Sequence, residues 1–344
     1  MQEKRSAARA LDLDLLRLLC SFLVIVNHTY DYVRLSAASA PVRYASFAAF
    51  SFSKIAVPIF LMISGFTLLS KTDDLKKTFS RVLRIGLSLL VFSFVYEVYR
   101  YVSGQQDYLS IKRFLLFIYE QHTTTSFWYL YAYLGLLVML PFLQKLVHAM
   151  NRQDFLLYFG IMFFFCSFWP LVVEYTPMSD YNAQFALPLS GSLVGYMFLG
   201  YFLHTYSFKE PPAFVCVLLT AASVLLSAAV TNHAYVSTSG ARYLFLDGIG
   251  LLPTVVSSLF VFCLVRRLCA GRQLPAVIRP LGAATFGVYL LADLFISLLF
   301  PLCVFLRAHL PALAAVFLYQ VSIWAASLCC TLLLRRIPLL RRLL

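Results

Sequence analysis

Asp14, Arg17 and His28 stand in one apolar run, LDLDLLRLLCSFLVIVNHTYDY, and are the residues of this sequence best placed to do chemistry. An ionisable group among hydrocarbon is costly unless it is paired or faces a polar cavity. Asp14 and Arg17 are three residues apart, so on a helix they share a face one turn apart and can pair. Arg17 and His28 are eleven residues apart. That is about three turns, so both point the same way with an axial separation of ~16 Å. An imidazole can act as general base or nucleophile. A guanidinium held by a carboxylate can meet a phosphate or a developing oxyanion. Spacing alone leaves the plainer readings open: an ion pair at headgroup level and a packing histidine. If the shared face is functional, it should line a polar cavity through much of the bilayer.

A second group follows. The segment VPIFLMISGFTLL contains Ser64-Gly65, a small pair that permits close backbone approach or a break in a helix. Downstream, SKTDDLKKTFSRVLRIG places Arg81 and Arg84 on one helical face, with Lys76 and Lys77 beside them. This cationic group reads either as a membrane anchor or as a phosphate clamp, because guanidinium offers paired planar donors to phosphate oxygens. Lys77, Arg81, Arg84, Ser64 and Gly65 are the candidates for holding a phosphate-bearing ligand. Glu97, Asp31 and Trp128 are candidates for a second substrate, although Trp128 in SFWYLYAYLG also suits an interfacial aromatic belt. Glu174 and Asp293 interrupt apolar runs and could line a cavity or pair with a neighbour.

The elements that must carry these residues follow from composition. Of 344 residues, 61% are hydrophobic and only 12% charged, and mean hydropathy is +0.81. A soluble domain is about 45–50% apolar and about 25% charged, so soluble enzymes, DNA-binding modules and disordered chains are excluded. A membrane barrel would alternate apolar and polar residues, whereas the runs here are continuous. The expected fold class is all-α: a polytopic membrane protein of about ten helices, over 12–33, 46–70, 81–103, 127–147, 155–174, 185–205, 212–231, 248–267, 281–306 and 312–333. No linker or repeat period breaks residues 1–344, which read as a single transmembrane domain. The basic start followed by an apolar run is similar to a signal peptide, but lacks a small-residue cleavage site and reads as a retained helix.

The net charge of +13 reflects loop arginines and lysines rather than nucleic-acid binding. One set of alternating loops holds 19 of the 28 Lys and Arg and the other 8, which predicts cytoplasmic termini. The eight cysteines form no metal-like pair and read as small hydrophobes, with no metal site and no disulfide framework.

Taken in order, these segments resemble the acyltransferase-3 family of integral membrane O-acyltransferases. Arg17 and His28 are similar to its Arg-to-His signature, VPIFLMISGF to its second-span segment and SRVLRIG to its Arg-x-x-Arg opening of span three. FWYLYAYLGLLVMLPFL, GYMFLGYFL and LGAATFGVYLL are similar to later spans. Three positions depart from the pattern: Leu13 replaces a second arginine, and Ser126 and Ala292-Asp293 stand where many members have histidine. The closest likeness is to short single-domain O-acetyltransferases that modify cell-surface polysaccharides. The resemblance implies a multi-pass protein of the bacterial cytoplasmic (inner) membrane. It implies transfer of an acyl group, usually acetyl, from cytoplasmic acyl-CoA to a hydroxyl of an extracytoplasmic glycan or lipid-linked sugar. Acetyl-CoA is then the donor, and the partners are the acyl-CoA, the acceptor and membrane lipid, with no metal and no nucleic acid. Within it His28 is the general base, with an acyl-histidine relay as the other route, Arg17 and Asp14 complete the catalytic group, and Arg81 and Arg84 bind phosphate. A transporter or flippase of a lipid-linked sugar or small amphiphile is the rival reading, since ten spans with buried polar groups also suit transport.

Overall fold

Lipid cannot satisfy backbone N–H and C=O groups, so continuous apolar runs must close their own hydrogen bonds as helices. The computed structural model describes residues 2–34, 39–176, 192–206, 210–238, 248–273 and 275–344, and it is 84% helical with no strand among them. Side chains at 2–10, 30–34, 174, 175 and 192 lie outside the description, and with them those of the candidate Asp31 and of Glu174. The helices are α1 Gln2–Arg34, α2 Ala40–Ser53, α3 Ala56–Ser64, α4 Leu75–Val102, α5 Ile111–Glu120, α6 Trp128–Ala149, α7 Arg152–Phe163, α8 Trp169–Tyr175, α9 Ser192–Thr205, α10 Ala213–Ser237, α11 Leu252–Cys269, α12 Ile278–Leu298, α13 Phe300–His309, α14 Ala312–Leu334 and α15 Pro338–Leu343. Among the described residues, eight helical stretches are long and apolar enough to cross a membrane. The chain is therefore an all-α, polytopic membrane protein. The other two spans expected from sequence correspond to α1, which carries Asp12, Asp14 and Arg17 in its N-terminal half, and to α9, described from residue 192 onward. The polar stretch expected over 102–126 contains a short helix, α5, and 232–237 continues α10.

The chain divides into two compact units, Met1–Thr72 with Leu143–Gly282 and Asp73–Phe142 with Ala283–Leu344. In the first, α1 packs on α2, α3 and α11, α10 packs on α2 and α11, and α9 packs on α3 and α7. The spanning stretch Ala40–Leu69 is broken at Lys54–Ile55, because Pro58 has no N–H to offer the Lys54 carbonyl. After α3 the helix widens into a π turn, Gly65–Leu69. Such a turn holds an extra residue and leaves backbone groups seeking partners. Gln144, which is buried, donates its Nε2 to the Leu68 carbonyl at 2.9 Å. A second π turn, Phe164–Phe168, is tied by the Ser167 hydroxyl to the Gly250 carbonyl, and Tyr196 donates to the adjoining Ile249 carbonyl at 2.6 Å.

The contact of α3 with α9 is backbone on backbone. A Cβ at Gly65 would overlap the Met197 carbonyl, and one at Gly200 would overlap the Met62 carbonyl. Small residues permit such approach in membranes, where packing rather than the hydrophobic effect joins helices.

In the second unit α4 starts on an Asp74 cap, whose carboxylate accepts from the Lys77 N–H at 2.9 Å. Helix α5 packs on α4, α13 on α14, and the short α15 folds back on α4.

Candidate active site

In the first unit the Asp14 carboxylate accepts from Arg17 Nη1 at 2.5 Å. Asp14 is 7% exposed. It is pressed against Gly282, where a Cβ would lie 2.5 Å from that of Asp14, so its position is fixed by backbone as well as by charge. Arg17 is half-buried, His28 is half-buried farther along α1, and the neighbouring Asn27 accepts from the Ser53 hydroxyl at 3.4 Å. Ser64 turns its hydroxyl to the Phe60 carbonyl at 2.9 Å, and Gly65 is occupied by its contact with Met197.

A further ionic group on this unit escaped the sequence reading. Arg266 lies 3.9 Å from the Asp12 carboxylate and 3.7 Å from that of Glu210, and donates to the Leu203 carbonyl at 3.3 Å. Its guanidinium stands 5.4 Å from the Phe66 ring centre and 5.9 Å from that of Phe262. The base of α1 and the π turn are thereby tied to α11. Only the position of Asp12 and Arg266 near the same predicted ends of their spans hinted at this. A polar seam also joins α2 to α10: Arg43 Nε donates to Asn232 at 2.8 Å, and Ser51 donates to Ser227 at 3.0 Å.

The second unit holds Lys77, Arg81, Arg84, Glu97 and Trp128. Lys77 and Arg84 are exposed, and Arg81 pairs with Asp73 at 2.6 Å. Glu97 is buried, paired with Arg100, and accepts from Gln106 Nε2 at 2.9 Å. Arg100 also donates to the Thr123 carbonyl at 2.9 Å. The next residue, Thr124, donates its hydroxyl to the Asp293 carboxylate, which also accepts from the Ser126 hydroxyl at 2.7 Å and the Ser126 N–H at 3.2 Å. Tyr289 donates to the Ser126 carbonyl at 2.5 Å. Trp128 follows at once, half-buried, edge-on to Tyr129 at 6.2 Å. Two of the sequence candidates thus flank this group: Glu97 is joined to it through Arg100 and the Thr123–Thr124 backbone, and Trp128 follows Ser126 by two residues. Ser126 and Asp293, two of the three departures from the family pattern, bond directly to each other.

Beside them Tyr96 enters the ladder of α12. Its hydroxyl donates to the Leu290 carbonyl at 3.0 Å and accepts from the Leu294 N–H at 2.9 Å, two groups that an unbroken helix would join to each other.

The charged acceptor of the 123–127 turn makes a test of its strength direct. Asp293→Ala strands three donors, and an unsatisfied buried group costs about 1–3 kcal/mol. Asp293→Asn keeps an acceptor oxygen and is expected to cost less. Thermal unfolding followed by circular dichroism in detergent ranks the two, and equal losses would show that the carboxylate does not hold the turn.

Among the described residues no group of three or more His, Cys, Asp or Glu could hold a metal ion. Residues 11–336 match the model of the acyltransferase domain family, nearly the whole chain. Among curated proteins and among solved structures nothing matches.

Proposed function

The chain belongs to the acyltransferase-3 family, and on that premise we propose that it is an O-acetyltransferase working as one functional domain in the bacterial cytoplasmic membrane, with both termini in the cytoplasm. It is a membrane acyltransferase, and so has an acyl donor and an acceptor. The donor we propose is acetyl-CoA, and the acceptor is a hydroxyl of an extracytoplasmic or lipid-linked glycan. The observation that carries this reading is the ionic face of α1: a buried carboxylate clamped to Arg17, with one imidazole about three turns farther along the same helix.

Each residue then has a task. His28 accepts the proton of the sugar hydroxyl while that oxygen attacks the thioester carbonyl carbon. Arg17, oriented by Asp14 and about 16 Å along the helix axis from His28, offers N–H donors to the CoA portion of the donor whose thioester reaches toward His28. Collapse expels the CoA thiolate, which takes the proton back from the imidazolium. The products are an ester and free CoA thiol. Arg81, Arg84 and Lys77 hold donor phosphates, Ser64 borders the donor path, and Glu97, Trp128 and Asp31 serve the acceptor.

Purified protein in detergent, given radiolabelled acetyl-CoA, should release CoA and label an added glycan acceptor. Movement of a lipid-linked sugar without any CoA requirement would overturn the enzyme reading in favour of transport. Arg81→Gln/Arg84→Gln should weaken CoA binding at least tenfold, since a charge-assisted hydrogen bond contributes about 1.5–3 kcal/mol, while acceptor binding changes little. Isothermal titration with each ligand checks it, and equal losses for both would contradict the clamp.

A further inference from the structure

Most internal cations of the described chain stand against carboxylates: Arg17 against Asp14, Arg81 against Asp73, Arg100 against Glu97 and Arg266 against Asp12 and Glu210. Four arginines do the opposite. Arg335, Arg336, Arg341 and Arg342, with Pro338, line one solvent-open groove of about 710 Å³ in the second unit, Arg335 half-buried and the other three exposed. Among the described residues no carboxylate pairs with any of the four.

This gathering is built by the fold. After Leu334 the chain turns through 335–337, with bonds from the Arg336 N–H to Leu333 at 3.0 Å and from the Ile337 N–H to Leu334 at 3.0 Å. Pro338 cannot extend α14 and opens α15 instead. The returning segment is docked. The Ser88 hydroxyl of α4 donates to the Leu343 carbonyl at 2.9 Å, and Leu344 is 3% exposed, packed toward Gly287. The same Ser88 hydroxyl reaches the Arg84 carbonyl at 2.9 Å, so the docked segment meets α4 one turn from Arg84.

A plainer reading is that these arginines only anchor the chain at the membrane surface and complement the C-terminal ends of α14 and α15. Anchoring asks for spread cations. Here a fold-back gathers four arginines around one groove, where their like charges repel. An anion rich in oxygens relieves that repulsion, and phosphate is the one that guanidinium meets with two parallel N–H donors. The volume falls within the range of ordinary small-ligand pockets, about 300–1,000 Å³, and exceeds what a single inorganic phosphate fills.

We propose that the Arg335–Arg342 groove is a phosphate-binding site for a ligand carrying two or more phosphate groups or a phospholipid headgroup. The shared chemistry is the phosphate ester, presented by the nucleotide portion of a coenzyme A-type molecule or by an anionic lipid. The inference rests on the groove and its cations, not on the donor proposed above, so failure of acetyl transfer leaves it standing.

The test uses the full chain in phosphatidylcholine nanodiscs, with adenosine 3′,5′-bisphosphate as the soluble probe and phosphatidylglycerol as the lipid probe. Arg341→Gln/Arg342→Gln should bind the nucleotide at least tenfold more weakly if the nucleotide is the source. If the lipid is the source, the wild-type chain retains phosphatidylglycerol in native mass spectrometry and the variant loses it. Should the variant fail to fold, either probe must protect Arg335, Arg336, Arg341 and Arg342 of the wild-type chain from phenylglyoxal. A variant that binds nucleotide as tightly as the wild-type chain, no retained lipid for it to lose, and no protection by either probe would together overturn the site.

Discussion

Replacing His28 by alanine is expected to leave a folded protein that has lost acetyl transfer by about 10²–10⁴-fold, the usual contribution of a positioned base. The fold should survive because the ring is half-buried, while the locks of α1 lie elsewhere: the Asp14–Arg17 pair, the Gly282 contact and the Arg266 group. Turnover of labelled acetyl-CoA, beside circular dichroism of the same preparation, separates the two effects. A folded His28→Ala chain with near-normal transfer would remove His28 from the reaction. The wild-type chain also decides between the two routes open to an imidazole. Incubated with donor and no acceptor, a relay accumulates an acyl-histidine that direct attack never forms.

Gly200→Ala is expected to destabilise by more than about 3 kcal/mol, beyond the usual cost of overpacking. Helix propensity predicts the reverse sign, since alanine is favoured over glycine by about 0.5–1 kcal/mol inside a helix. The sign therefore reports the contact. At Gly200 the first added carbon meets the Met62 carbonyl, and backbone cannot swing aside as a side chain can. Gly160, with nothing within 4 Å of its Cβ position, provides the matched control: Gly160→Ala should be neutral or mildly stabilising. Thermal melts and size-exclusion profiles in detergent compare the two, and similar behaviour would mean that α3 and α9 do not meet as described.

What the sequence could disclose was local or additive. The Asp14–Arg17 pair is a matter of three residues, and the membrane helices follow from the length of apolar runs, so both were legible. Contacts between distant segments were not. Asp293 was visible as an oddity in an apolar run, but its bonds to Thr124 and Ser126 cross 169 and 167 residues. The π turn at Gly65–Leu69 depends on Gln144, 76 residues away from the carbonyl that it satisfies. An extra residue in the turn also rotates everything beyond it by about 100° relative to a regular helix, so face arithmetic that works along α1 fails after residue 65. The C-terminal arginines enter the loop-charge count, yet a count cannot reveal that a fold-back gathers them around one groove.

The tyrosine wedged into α12 has a mechanical consequence. The Leu290 carbonyl and the Leu294 N–H both bond to one phenolic oxygen on α4. Sliding α4 past α12 would break both bonds together and leave the buried phenol without partners, at about 1–3 kcal/mol for an unsatisfied buried group. The two rods are pinned at that point, as by a rivet. Asp293 sits beside the rivet, so any displacement of α4 during turnover carries its carboxylate, and the turn hanging from it, along the same path.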